Sequence, residues 1–309
     1  MLFRSAQVAD RHNISEQELS AMISDCRILL LAHRNKRVRP GLDDKQLTSW
    51  NALMIKGYCD AYEASGEGKF LNAAARSANH ILKNIRRADG GLNHNYKNGR
   101  ATINGYLEDY AFMIESLVKL YEITFEERYL EEAKQFADYA IKHFFDHQTG
   151  LFFFTSNLDE ELIARKKEIH DNVMPASNSV LAKTLFQLEK YFGLDEYSGI
   201  AEKMLHLVKA EISRYGSSYS NWCTLMMWKV FPFYEIAITG IKAEEKRKTL
   251  SASFRPNSIT AGTVDGDTLI PLLKNRTKEQ ETLIYICVNY SCQLPVRETK
   301  DALAMMSFS

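Results

Sequence analysis

Two kinds of hydrophobic pattern succeed one another along this chain. From Ser15 to about Phe231, apolar residues recur at helical spacing. Beyond that point, short apolar runs at Glu235–Gly240 and Ile284–Val288 read as strands, with helices expected near Ala243–Phe254 and Glu298–Met306. The helical part repeats itself. Tyr62-Glu63 and Phe70-Leu71 return 59 residues later as Tyr121-Glu122 and Tyr129-Leu130, and Gly91-Leu92 returns as Gly150-Leu151. A looser third copy runs from Ser177 to about Gly216. Each copy reads as a helix, a tight turn and a second helix. The second helices are amphipathic: Tyr129, Ala133, Phe136, Ala137, Ala140, Ile141 and Phe144 form one stripe. The first helices are apolar over a wider arc. Between Leu107 and Leu120 the pattern leaves Glu115, Ser116 and Lys119 facing out, so these helices form an inner layer covered by the others. One further outer-type helix, about Ser15 to His33, stands ahead of the first pair, with Ser15 and Glu18 spaced for a capping box.

Connections within the pairs are short, as at Ser65-Gly66-Glu67-Gly68. Those between pairs are long, roughly Lys36–Leu47, Asp89–Gly105 and His147–Ala176, and in an up-and-down array they emerge at one end. Long loops in compact domains tend to be functional or disordered, and the Gly-Gly and aromatic residues in these, which end at helix N-termini, favour order. These loops and the helix starts beside them carry the candidate chemistry: His94, His170, Asp44 and Asp109 for acid–base work, and Arg39, Asp43, Trp50, Asn51, Tyr96, Glu108, Arg165 and Asn178 for ligand binding. Histidine titrates near neutral pH, carboxyl pairs serve glycoside chemistry, and helix N-termini favour polar or anionic groups. Each also has a plainer reading. The acids can cap helices, the histidines can pack in loops, Trp50 can anchor a core, and Asn178 can cap its helix.

Composition narrows the partners. Of 309 residues, 45% are hydrophobic and 25% charged, and Lys plus Arg equals Asp plus Glu at 39 each, so no global field favours nucleic acid or an anionic membrane. Apolar runs such as Ile28–Ala32 are far short of a membrane span, and the N-terminus lacks a signal-peptide pattern, so a cytoplasmic location is expected. The five cysteines, Cys26, Cys59, Cys223, Cys287 and Cys292, are expected to be reduced. Cys287 and Cys292 would point to opposite faces of a straight strand, which argues against a disulfide between them and against a metal site. No cofactor is expected. Met1-Leu2-Phe3-Arg4-Ser5 looks foreign to the rest of the chain and matches what the end of a sequencing adapter would encode, so truncation on the 5′ side is expected.

The segment Arg39-Pro40-Gly41-Leu42-Asp43-Asp44-Lys45-Gln46-Leu47-Thr48-Ser49-Trp50-Asn51-Ala52-Leu53-Met54-Ile55 resembles the R-P-x-L-D-D-K-x-L-T-x-W-N-A-L-M-I signature of the thioredoxin-domain-containing, spermatogenesis-associated protein family. Gly105–Phe112, Arg165–Asp171 leading to Pro175–Val180, and Cys287-x4-Cys292-x2-Pro295 extend the match over nearly the whole chain from Ser15. Two positions depart from it: Glu108 stands where Asp is usual, and Ala176-Ser177 where Ser-Gly is usual. The resemblance implies a mainly α chain forming part of an (α/α)6 toroid, similar to N-acylglucosamine 2-epimerases and six-hairpin glycosidases, with a small C-terminal α/β subdomain. It also implies that the thioredoxin-like domain of the intact protein is missing here. The expected division is a leader at 1–5, a partial toroid at 6–232 and the α/β subdomain at 233–309. The expected function is binding or processing of a small, sugar-like ligand at the loop rim, by epimerase-like or glycosidase-like chemistry. A non-catalytic scaffold serving the thioredoxin-like domain is the alternative.

Overall fold

A computed structural model describes residues 4–160, 163–266, 268–276 and 281–306. The first three positions of the expected leader lie outside the described residues, and Ser5 opens the first helix. The chain divides into two compact units, 1–44 and 45–309.

The first unit holds α1 (Ser5–His12) and α2 (Glu16–Asn35). Ser15 and Glu18 close the capping box ahead of α2, Ser15 Oγ accepting from the Glu18 N–H at 3.1 Å while Glu18 accepts from the Ser15 N–H at 2.8 Å.

The second unit opens with three helical hairpins. The inner helices are α3 (Thr48–Ser65), α5 (Leu107–Thr124) and α7 (Ser177–Phe192); the outer ones are α4 (Gly68–Asn84), α6 (Glu127–Phe144) and α8 (Asp195–Ile212). Inner helices pack side by side, each also against its own outer partner, and α9 (Ser220–Val230) continues the inner row beside α7. Every hairpin turns on a left-handed residue: Gly66, Phe125 and Gly193. The stripe predicted on α6 is buried apart from the half-buried Ile141. One expectation for α5 fails. Ser116 is buried, its hydroxyl bonded back to the Met113 carbonyl at 2.9 Å, and Glu122 takes its place beside Glu115 and Lys119 on the polar side. A backbone-bonded serine can sit on an apolar face, which a hydropathy pattern does not register.

The C-terminal part forms a four-stranded sheet in the order β7-β6-β8-β9, with β6 (Tyr234–Thr239), β7 (Ser258–Thr263), β8 (Leu283–Val288) and β9 (Ser291–Cys292). The crossover helix α10 (Ala243–Ser251) sets β6 parallel to β7, while β8 runs antiparallel to β6. One face, including Ile236, Ile238, Ile284 and Ile286, packs on α10 and α11 (Thr299–Met305). The other, with Ala237, Ile259 and Ala261, joins the helical core. β6 is buried along its whole length, as a strand covered on both faces must be. β7 docks on the C-terminal ends of inner helices: Glu122 accepts from the Thr260 N–H at 3.2 Å and the Tyr121 hydroxyl accepts from the Gly262 N–H at 3.3 Å. Gly262 must lack a side chain, because a Cβ there would lie 2.1 Å from the Phe125 ring.

Two of the cysteines depart from the reduced state expected of them. Cys287 and Cys292 are disulfide-bonded. Asn289 and Tyr290, both left-handed at φ 48° and 64°, form a two-residue turn that sets the two cysteines opposite each other in the β8–β9 ladder. The parity argument holds only for a straight strand, and this chain reverses between the sulfurs.

Candidate functional site

The N-terminal ends of α3, α5 and α7 are tied together by the loops that precede them. β1 (Gln46–Leu47) adds to a hairpin of β2 (Asn93–Lys97) and β3 (Arg100–Asn104), with Gln46 opposite Tyr96 and Leu47 opposite Asn95. Asn98 and Gly99 make its turn, both at positive φ. Thr48 donates its hydroxyl to the Asn93 carbonyl at 2.6 Å. The third loop begins with a short hairpin of β4 (Phe145–Asp146) and β5 (Leu151–Phe152). Leu107 N–H then donates to the Phe154 carbonyl at 2.9 Å, and the Tyr106 ring stacks on Phe154 at 4.9 Å. Arg165 bonds the Thr155 carbonyl and lies 4.0 Å over the Phe153 ring.

At this junction sits an ionisable cluster. Asp109 is fully buried in the first turn of α5, accepting from the Ser49 N–H at 2.9 Å, the Tyr106 N–H at 2.8 Å and His94 Nδ1 at 3.0 Å. The hydrogen bond to Asp109 holds His94 above the usual imidazole range. Because Nδ1 is engaged, Nε2 is the ring nitrogen left to meet a ligand. Glu108 accepts from the Ser49 hydroxyl at 3.1 Å and faces a cleft of about 350 Å³ shared with Lys167, Glu168 and His170. Burial, then the charges of Asp109 and Glu168, push its carboxyl up to about 6, against the opposing Ser49 hydrogen bond and His94 charge. Donor atoms of His94, Glu108 and Asp109 all lie within 4.8 Å of one another, close enough to ligate one cation, although Asp109 already serves three hydrogen-bond donors.

The remaining sequence candidates fall in varied places. His170 lines the cleft and pairs its Nε2 with the Tyr219 hydroxyl at 2.9 Å. Trp50 is 61% exposed in the first turn of α3, and Asn51 donates to the Leu47 carbonyl at 2.8 Å. Tyr96 stands edge-on to His80 at 5.2 Å. Asn178 is buried, its amide exchanging two hydrogen bonds with the Phe152 backbone, 2.8 and 2.9 Å. Arg39, Asp43 and Asp44 belong to the first unit, where Arg39 donates to Asn35 at 2.8 Å.

Two contributing residues, Ser49 and Asp171, were not singled out by pattern. Ser49 joins Glu108 to Asp109. Glu168 shares the cleft and pairs with the Ser177 hydroxyl at 3.1 Å. Asp171 is buried, accepting from the Ala176 N–H, the Ser179 hydroxyl and the Asn221 N–H at 2.7–2.9 Å, and so orders the start of α7. The Asn98-Gly99 pair was the legible signal for the β2–β3 hairpin that carries His94.

A larger hollow of about 660 Å³ opens toward the other ends of the inner helices. Its lysines are matched to carboxylates, Lys56 to Asp60 at 2.8 Å, Lys119 to Glu63 at 2.6 Å and Lys183 to Glu115 at 3.1 Å. The rim cleft is instead lined by a carboxyl pushed up to about 6, that of Glu108, which has the oriented His94 imidazole within 4.8 Å.

The fold is a helical-hairpin array of the toroid type. The chain belongs to the β-L-arabinofuranosidase GH127 catalytic-domain family, whose model matches residues 31–188. It is 25% identical to human spermatogenesis-associated protein 20 over 311 residues, covering 94% of this chain and 39% of that protein. An uncharacterised protein of Caenorhabditis elegans is likewise 25% identical over 314 residues, covering 97% of this chain and 43% of the relative. The chain thus spans about two fifths of the length of these relatives. In fold it is similar to a GH76 α-mannanase of Bacteroides thetaiotaomicron, with a TM-score of 0.50 at 14% identity over 76% of this chain and 66% of that one. No described helix is long and apolar enough to cross a membrane.

Proposed function

We propose that the rim cleft cleaves a glycosidic bond by acid–base chemistry, with Glu108 as proton donor and Glu168 as the second carboxyl group. The observation that carries this reading is the Glu108 carboxyl, raised to about 6 and facing the same cleft as Glu168. Glycoside hydrolysis needs one carboxyl that holds its proton and another that is ionised, flanking the bond to be broken. The family description favours an arabinofuranoside as substrate. His94, oriented by buried Asp109, places a positive charge beside Glu108 once the donor has given up its proton. Trp50, next in sequence to Ser49, offers an exposed indole on which a sugar ring can stack.

The test is turnover of aryl glycosides, β-L-arabinofuranoside included, by the wild-type chain and by Glu108→Gln. Release of the aryl group that disappears in the variant supports the reading. Turnover that survives the substitution, or none by the wild type across the panel, overturns it.

A second reading rests on the two histidines at the rim. His94 and His170 could exchange a proton at a sugar carbon beside a carbonyl, which is epimerisation. Deuterium incorporation from solvent into a free reducing sugar, without glycoside cleavage, would select it.

A further inference from the structure

The β8–β9 hairpin holds chemistry unrelated to the rim. Cys287 and Cys292 are disulfide-bonded and unequally exposed: Cys287 is fully buried, whereas Cys292 is open to solvent. Arg276 Nη1 lies 3.2 Å from Cys287 Sγ and 2.7 Å from Cys292 Sγ. Its position is set from the backbone, because the Arg276 carbonyl accepts from the Tyr285 hydroxyl at 2.8 Å and the Thr239 hydroxyl at 3.1 Å. The guanidinium also lies 5.3 Å over the Tyr285 ring. Among the described residues it has no carboxylate at ion-pair distance.

A half-buried guanidinium gains little from a neutral disulfide. It gains a charge-assisted hydrogen bond from a thiolate. The bridge closes only the few residues of a hairpin already held by its ladder, so it removes little chain entropy from the unfolded state. The arrangement suits a bond that is made and broken more than one that holds the fold.

We propose that Cys287–Cys292 is a thiol–disulfide exchange site whose substrate is a dithiol. A thiolate of the dithiol attacks the exposed Cys292 Sγ. A new S–S bond forms there, the Cys287–Cys292 bond breaks, and Cys287 leaves as a thiolate held by Arg276. The second thiol of the substrate then displaces Cys292. The protein gains two electrons and two protons as Cys287 and Cys292 thiols, and the dithiol leaves as its disulfide. Arg276 is a positioning and charge-stabilising residue in this scheme.

The experiment uses the native, full chain. Dithiothreitol is added without denaturant, the reaction is quenched with a maleimide, and each cysteine is read by peptide mass spectrometry. Cys287 and Cys292 should both become labelled within minutes. A parallel arm with glutathione, which has one thiol, should trap a mixed disulfide on Cys292. Arg276→Met should slow maleimide capture of reduced Cys287 at pH 7 at least fivefold and move its pH midpoint upward, while Arg276→Lys should restore part of the rate. A bridge that opens only in denaturant, an adduct on Cys287, or a rate indifferent to Arg276→Met would overturn the proposal.

Discussion

The carboxylate of Asp109, in the first turn of α5, accepts the backbone N–H of Ser49 in the first turn of α3 at 2.9 Å, bridging 60 residues of sequence. One buried side chain therefore registers the starts of two neighbouring inner helices. The same carboxylate orients His94, so the strut of the rim and the anchor of its imidazole are a single group.

Removing that strut should cost stability before it costs chemistry. Asp109→Ala leaves the buried Ser49 and Tyr106 N–H groups without their acceptor, and about 3 kcal/mol should be lost in urea unfolding. A loss below about 1 kcal/mol would show that water or a shifted side chain takes over both amides.

Glu108→Gln should behave differently. Its stability should stay within about 1 kcal/mol of wild type, while turnover falls by about 10²–10⁴-fold. In the wild type the donor must be protonated, so activity should fall as pH rises through about 6. The positive charge of His94 lowers the Glu108 pKa, so His94→Asn should move that limb to higher pH. An unmoved limb would separate His94 from the donor.

The His94–Asp109 pair also makes a stability prediction. His94 has a folded pKa above its ordinary 6.5. Its contribution is therefore complete below 6.5 and lost as pH rises through the folded value. Urea midpoints measured between pH 6.5 and 8.5 should decline in wild type and lose that component in His94→Asn. Glu108 contributes in the same sense, but between 4.5 and about 6, outside that window.

Asn178 and Trp50 form a contrasting pair. Asn178→Ala removes both hydrogen bonds to the Phe152 backbone and should cost about 2–3 kcal/mol of stability. Trp50→Ala, at an exposed position, should leave stability within about 0.5 kcal/mol and weaken ligand binding about tenfold. Calorimetric titration with the cleaved sugar reads the second effect, and unchanged affinity would remove Trp50 from the site.

Much of the architecture was legible in the hydrophobic pattern. The stripe on α6 and the broad apolar arc of α5 identify outer and inner layers because burial on one side or several leaves different periodic traces. The strand β7 was missed because Ser258-Ile259-Thr260-Ala261-Gly262-Thr263 is short and weakly apolar, and its burial comes from docking on α5 and α7. The left-handed turn at Phe125 carries no glycine signal. Its ring is instead seated against Gly262, which is 137 residues away.

The amino-acid sequence alone determined that paired helices would form and that long loops would join them, with His94 and His170 in the loops and Glu108 and Asp109 at the helix start beside one of them. It could not decide which of two adjacent acids is structural and which faces a ligand. Consecutive residues on a helix point about 100° apart, so the packing of α3 against α5 buries Asp109 and leaves Glu108 on the cleft. Likewise, only the reversal at Asn289-Tyr290 brings Cys287 to Cys292, because a pairing across a turn depends on where the chain goes and not on the spacing along it.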